Sequence, residues 1–386
     1  MYKKILIALI SAVCIFAVDY SHAVIEVKRL YYPDGSVFTE IPFKDGVKHG
    51  VAKKFSKDGI LLSYLTYENG QQEGEAREYW DTARLKSSKY YKNGVAEGPV
   101  KLYSPEGILQ VEATCKNGIL DGLEKTYYTN GVVKAEKVYN NGQLDGMSRF
   151  YTMSGTLISE QPFEDNMREG IAKYYYVGDP HKMEILCSWK KKEGAPYQTG
   201  QIIMEVPFKK NKQEGTVKYY DNMGRVEETR EYSDDKLNGM IICYDENGQK
   251  THEALCRDDK FNGPLRYYNK NGRLIAEINY VNDLREGPAL YYDAEGRFAT
   301  KRTYVKDIRT GIEITYYANG QVKKETPYID GRVNGPEKSY FENGQISAIK
   351  SIKDDRGEGV WKFFKEDGSL DNECTFQDGK MVNKSL

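Results

Sequence analysis

Apolar and polar positions along this chain recur with a period of 24 residues, and within each period their spacing is that of extended strands. In the first copies an aliphatic residue stands at Val37, Leu61, Leu85, Leu109, Val133 and Leu157. Three residues further on comes Glu40, Glu112, Glu136 or Glu160, and six residues on comes Phe43, Tyr67, Tyr91, Tyr139 or Phe163. Aliphatic and aromatic share parity, so an unbroken strand would turn both to one face and the glutamates to the other. A second aromatic series occupies the other half of the period, including Tyr79, Tyr103, Tyr127, Tyr151, Tyr244, Tyr268, Tyr292 and Tyr316. Stacked periods would line these tyrosines up as an aromatic ladder.

Glycine punctuates the pattern twice per period. One series, the opening glycines, runs Gly50, Gly74, Gly98, Gly122, Gly146, Gly170, Gly194, then Gly215 and on every 24 residues to Gly359, with one step of 21 between Gly194 and Gly215. These are read as structural turn residues. The other series, the turn glycines, includes Gly35, Gly59, Gly107, Gly131 and Gly155, with Ala83 and Asp179 in the two slots that lack Gly. Asn often precedes them, as at Asn130, Asn247, Asn271, Asn319 and Asn343. An Asn-Gly pair between apolar runs predicts a type I′ hairpin turn, because both central residues need positive φ. Eleven residues after each turn glycine comes Gly, Asn or Asp (Gly46, Gly70, Gly94, Asn166, Asp235, Asp259), which marks a return loop.

Fixed-period self-similarity outranks local motifs. The expectation is an all-β fold, an elongated single-sheet β-meander or solenoid-like array of about fourteen 24-residue β-hairpin repeats. Residues 24–178 form one arm, residues 216–386 a second, and 179–215 an irregular stretch with a shortened repeat. Gly178-Asp179-Pro180-His181, the basic run Lys190 to Lys192 and the lost residues around Gly194 predict a bend or gap there, read as a hinge, a ligand notch or a tolerated deletion.

Charge changes the picture little. With 56 basic and 57 acidic residues the net charge is −1, so nothing drives the chain toward nucleic acid. Cations three residues after the opening glycines (Lys53, Arg77, Lys101, Lys125, Arg149) interleave with the glutamate row and predict cross-strand pairs of about 0.2–1 kcal/mol each.

Residues 1–23 depart from the repeat. Lys3 and Lys4, an apolar run from Ile5 to Val18, and Ser21-His22-Ala23 have the order of a secretory signal peptide. No later stretch is long and apolar enough for a transmembrane span. The expected location is outside the cytosol: periplasm, cell surface or secreted, in a bacterium. Cys115, Cys187, Cys243, Cys256 and Cys374 make an odd, sparse set that predicts no disulfide framework. Cys115, Cys187 and Cys256 take the slot of a packing aromatic and are read as buried structural thiols.

Candidate chemistry is thin. His49, His181 and His252 are far apart in repeat order, with no metal-like spacing or triad neighbour. Asp234-Asp235, Asp258-Asp259, Asn282-Asp283 and Asp354-Asp355 line one edge, either as weak divalent-cation ligands or as turn residues facing water. We assign no catalytic, cofactor-binding or metal residue and expect no enzyme. The terminal strand edges predict end-to-end self-association, which Lys380 and Lys384 would oppose.

The spacing of Asn69-Gly70-Gln71-Gln72-Glu73-Gly74 before Tyr79, and of Asn141-Gly142-Gln143-Leu144-Asp145-Gly146 before Tyr151, resembles the MORN-variant repeats of bacteria. The resemblance runs from about Leu30 to Lys380. It extends to the family labelled toxin–antitoxin YwqK-type antitoxin, which implies a partner toxin. The repeat class implies scaffolding and no catalytic residue. Two functions follow as expectations. One is an exported, non-enzymatic scaffold binding a protein or cell-envelope component. The other is an antitoxin- or immunity-type partner that neutralises a toxin.

Overall fold

A computed structural model describes residues 25–178 and 197–385. The leader, Asp179, His181, Cys187, Lys190 to Lys192 and Gly194 lie outside the described residues. The chain divides into two units, residues 1–179 with 209–211 and residues 180–208 with 212–386. Every element among the described residues is a β-strand. Within each unit consecutive strands pair antiparallel, each with the strand before and the strand after it, which is the expected meander.

Each repeat contributes a returning strand of nine residues, such as Gln71–Tyr79, and the outgoing strand of eight that follows it, such as Leu85–Lys92. In several repeats a bulge splits the returning strand, as in Val47–Lys48 and Gly50–Phe55. The two strands are thus of similar length. The short strand expected from sequence begins earlier than the opening glycine.

The type I′ turn expected at the turn glycine lies instead at the return loop. At the turn glycine, the Gly131 N–H donates to the Tyr128 carbonyl (2.9 Å), and the Tyr128 N–H donates to the Val132 carbonyl (2.8 Å). Gly131 alone has positive φ (+82°) and Asn130 does not, so this is a type I turn closed by a glycine bulge. Ala83 takes the same left-handed backbone at φ 61° where glycine is missing. The type I′ turn sits at the other end: Asn93 and Gly94 have φ 51° and 81°, and Asp258 and Asp259 have 50° and 65°. Asn and Asp tolerate these angles, which is why that slot accepts them in place of glycine.

Gly50, Gly74, Gly98, Gly122, Gly146 and Gly170 close no turn. They lie in the returning strand at a bulge. Leu65 pairs Ala76 and Tyr67 pairs Gln72, so Glu73, Gly74 and Glu75 together face Thr66. The backbone there is left-handed, and at Gly50, Gly146 and Gly170 the residue opposite crowds it as well, whereas Gly74 has open space. A Cβ on Gly146 would stand 3.1 Å from Val138 Cβ, and one on Gly50 would stand 3.2 Å from Pro42 Cγ.

A second bulge corrects the face assignment. Thr126 pairs Ala135 while Tyr127 pairs Val133, leaving Lys134 as an extra residue. The same shift recurs in other repeats, as at Thr315/Tyr316. Parity is broken between the aliphatic and the aromatic of each outgoing strand, so they point to opposite faces. On the first face Phe298 packs between Tyr292 and Tyr316, with centroids 5.5 and 5.0 Å away. On the second face Phe376 stacks on Trp361 at 4.0 Å.

The second face carries the core. Small residues fill it: Ala172 and Ala289 are fully buried, and Ala76, Ala113, Ala135 and Ala254 nearly so. In the C-terminal unit Leu237, Ile241, Cys243, Ala254 and Cys256 cluster under Tyr232, Phe261 and Leu265. Cys256 is buried and free, and burial pushes its thiol up to about 11. Cys115 and Cys374 are also free, whereas Cys243 is disulfide-bonded, a link not expected from the sparse cysteine count.

Candidate functional site: the tyrosine–glutamate face and the turn edges

The first face is built from three rows. In the N-terminal unit opposite-strand pairing places a glutamate between two cations, as Glu112 faces Lys101 on one side and Lys125 on the other, whereas in the C-terminal unit Glu253, Glu277 and Glu325 face Ile242, Leu290 and Ile314 on one side. Lys101 Nζ lies 3.0 Å from Glu112, Lys125 Nζ 3.1 Å from Glu136, and Arg149 Nε 2.9 Å from Glu160. The ladder tyrosine of the next repeat completes the contact. Tyr127 donates its hydroxyl to Glu112 (3.0 Å), Tyr151 to Glu136 (2.9 Å), Tyr220 to Glu205 (2.8 Å), Tyr268 to Glu253 (2.7 Å) and Tyr340 to Glu325 (2.9 Å). The donor is always fifteen residues beyond the acceptor. The glutamates are therefore joints between successive repeats as well as solubilising charges.

These contacts set the protonation of the row. Hydrogen bonds from Lys101 and then Tyr127 hold the Glu112 carboxyl below its ordinary range. At Glu253 burial works the other way, but bonds from Tyr268, Lys250 and Arg266 outweigh it and the shift is downward. Burial, and then the carboxylate contact, pushes Tyr220 and Tyr268 up to about 12. The depressed carboxylates contribute stability that is present above their unfolded value of 4.5 and is lost as pH falls through the folded value. The raised tyrosines contribute stability that is lost as pH climbs from 10.0 towards about 12. The urea midpoint should therefore be flat between about pH 5 and pH 9 and fall on both sides. A midpoint that holds steady down to about pH 3 would show that the row does not bear on stability.

The turn edges are stitched in the same manner. Tyr32, Tyr128 and Tyr317 donate to the carbonyls of Phe55, Tyr151 and Tyr340, each 23 residues on. Asn130 accepts from the Val132 N–H through its side-chain oxygen and donates from Nδ2 to the Met153 carbonyl. This explains the asparagine before the turn glycine: it ties its own turn and the next one.

At the opposite edge the doubled acids turn inward. Asp235, Asp259, Asp283 and Asp355 accept the backbone N–H groups of Gln213, Leu237, Phe261 and Val333 at 2.7–2.8 Å. Lys236 holds Asp258, and Lys212 holds Asp234. Among the described residues no three His, Cys, Asp or Glu side chains are grouped as for a metal ion. His252 bonds Thr251 (2.9 Å) and meets the Tyr267 ring edge-on, with burial lowering its proton affinity. His49 has a buried Nδ1 without a partner among the described residues.

The geometry defines a stitched β-hairpin repeat protein. Six segments match the MORN repeat variant: residues 48–69, 120–141, 261–282, 309–330, 333–354 and 357–378. All six share one phase, taking in a returning strand, its turn and the next outgoing strand. No curated protein matches the chain. Among solved structures, TcdB2-TccC3 without its hypervariable C-terminal region is similar over 94% of this chain and 20% of that one, at 12% identity and a TM-score of 0.17. TcdB2-TccC3-TEV is similar over the same shares, at 11% identity and a TM-score of 0.15. The chain thus spans about a fifth of the length of the solved chains it matches. No helix among the described residues is long and apolar enough to cross a membrane.

Proposed function

We propose that the protein is an exported, non-enzymatic repeat scaffold of a bacterium, whose strand-built surface binds a protein or a cell-envelope component. One observation carries this reading. The polar side chains that recur in register, the glutamates, ladder tyrosines, turn asparagines and edge aspartates, are engaged in joining one repeat to the next. What the repeats then offer a partner is a regular surface. Apolar residues stay exposed on it at Val51, Leu123, Ile171, Ile312 and Val360, each one position beyond an opening glycine. Export rests on the order of Lys3, Lys4, the Ile5 to Val18 run and Ser21-His22-Ala23.

Cell fractionation with sequencing of the purified N-terminus tests the export reading. The expected result is a chain that begins at or near Val24 and is absent from the cytosol. A cytosolic chain retaining its first 23 residues would overturn it. That outcome would favour the antitoxin reading, in which a co-purifying toxin is expected.

A further inference from the structure

The glutamate row has a gap in the C-terminal unit, and the gap is a cavity. Thr229 occupies the glutamate position, directly opposite Lys218 on one strand and Ile242 on the other. Tyr244 follows fifteen residues later, the separation at which the other ladder tyrosines donate to a glutamate. Its hydroxyl has no hydrogen-bond partner among the described residues. Between these groups lies an open cavity of about 500 Å³, walled by Lys218, Val226, Thr229 and Tyr244 and rimmed by Arg225 and Glu246. The Arg225 guanidinium is fixed by two bonds to Asp221 and one to the Glu246 carbonyl. Lys218 reaches only loosely to Glu205, at 3.9 Å.

We propose that this notch binds a carboxylate carried on a short aliphatic arm. The Tyr244 hydroxyl and Lys218 Nζ receive its oxygens, as tyrosine and lysine receive Glu112 elsewhere in the row. The arm lies on Val226 and Thr229, where the methylenes of the missing glutamate would run. Glu246 on the rim repels a second acid, so a ligand with one carboxylate fits best. Other interruptions of the row lack this arrangement. Lys301 puts a cation in the slot, Tyr64 and Ile349 fill it with larger side chains, and at Ser88 the facing Arg77 is tied to Glu75. The site is independent of where the protein resides in the cell.

The test follows the Tyr244 ring signal by NMR in tyrosine-labelled protein while N-acetylglutamate α-methylamide is added. A saturable shift in the millimolar range is expected, with no response to the matching glutamine derivative. Lys218→Gln should weaken binding by about tenfold in this readout, and Tyr244→Phe should weaken it by as much when binding is followed on the ligand's own NMR signals. Thr229→Glu, which supplies the carboxylate internally, should abolish it and raise the melting temperature. Acetate binding as well as the glutamate derivative would assign the site to free carboxylates, and weaker acetate binding would assign it to glutamate side chains of a peptide. A shift of equal size with the glutamine derivative, undiminished binding to Thr229→Glu, or no response at all would overturn the proposal.

Discussion

Replacing Gly263 by alanine should destabilise the C-terminal unit by about 3 kcal/mol, well beyond the cost at a turn glycine. Two separate costs meet at this residue. Its φ of +142° lies where L-residues rarely go, and a left-handed backbone alone costs an alanine roughly 1–2 kcal/mol. The new Cβ would also stand 3.0 Å from Leu255 Cβ and 2.8 Å from Leu255 Cδ2. Overpacking of that kind adds about 1–3 kcal/mol. Gly272, a turn glycine of the same repeat, isolates the first cost: its φ is +74° and nothing lies within 4 Å of the added carbon. Gly272→Ala should therefore cost only about 1 kcal/mol. Leu255→Ala placed in the Gly263→Ala background should return the part of the steric cost that Leu255 Cδ2 and Cγ impose and leave the Cβ contact and the backbone share. Urea unfolding of the three variants measures all of this. Equal losses for Gly263→Ala and Gly272→Ala would refute the role given to the bulge.

This contrast also shows what the sequence could and could not reveal. The period, the strand and turn alternation and the all-β meander were legible, because glycine, asparagine and aromatic residues each recur in register. Turn type was not, since Asn-Gly pairs occur at both hairpin ends. What separates Asn130-Gly131 from Asn93-Gly94 is the residue two before the asparagine, whose backbone closes the wider loop. The face assignment failed for a related reason. The bulge that breaks parity falls on Lys134 in one repeat, Lys86 in another and Phe38 in a third, so no residue type marks it. The glutamate and tyrosine rows were both visible as rows. Their hydrogen bonds were not, because the link joins the tyrosine of one repeat to the glutamate of the repeat before it, across one turn and a bulge. The acidic edge was misleading in the same sense: Asp235 and Asp259 look solvent-facing in sequence, yet their carboxylates cap backbone amides 22 residues earlier.

Arg230→Met should cost about 3–5 kcal/mol, while the double variant Glu228→Leu with Arg230→Met should recover most of that loss. Glu228 is fully buried, and the Arg230 side chain that donates to it is only 11% exposed. The pair lies on the core face at the start of the C-terminal unit, beside buried Val217 and Tyr219. The Arg230 guanidinium also sits 4.7 Å from the Tyr219 ring centre, a cation–π contact in a desolvated place. Burying two charges is expensive, and their attraction offsets that cost only while both are present. Methionine keeps much of the arginine's aliphatic volume, so the loss reports the ion pair taken from the buried carboxylate. Removing the carboxylate as well relieves that penalty, and leucine and methionine together fill the space with apolar surface. If the double variant is as unstable as Arg230→Met alone, the lost ion pair is not the cause. The stability of this part of the core would then rest on the arginine's packing against Tyr219.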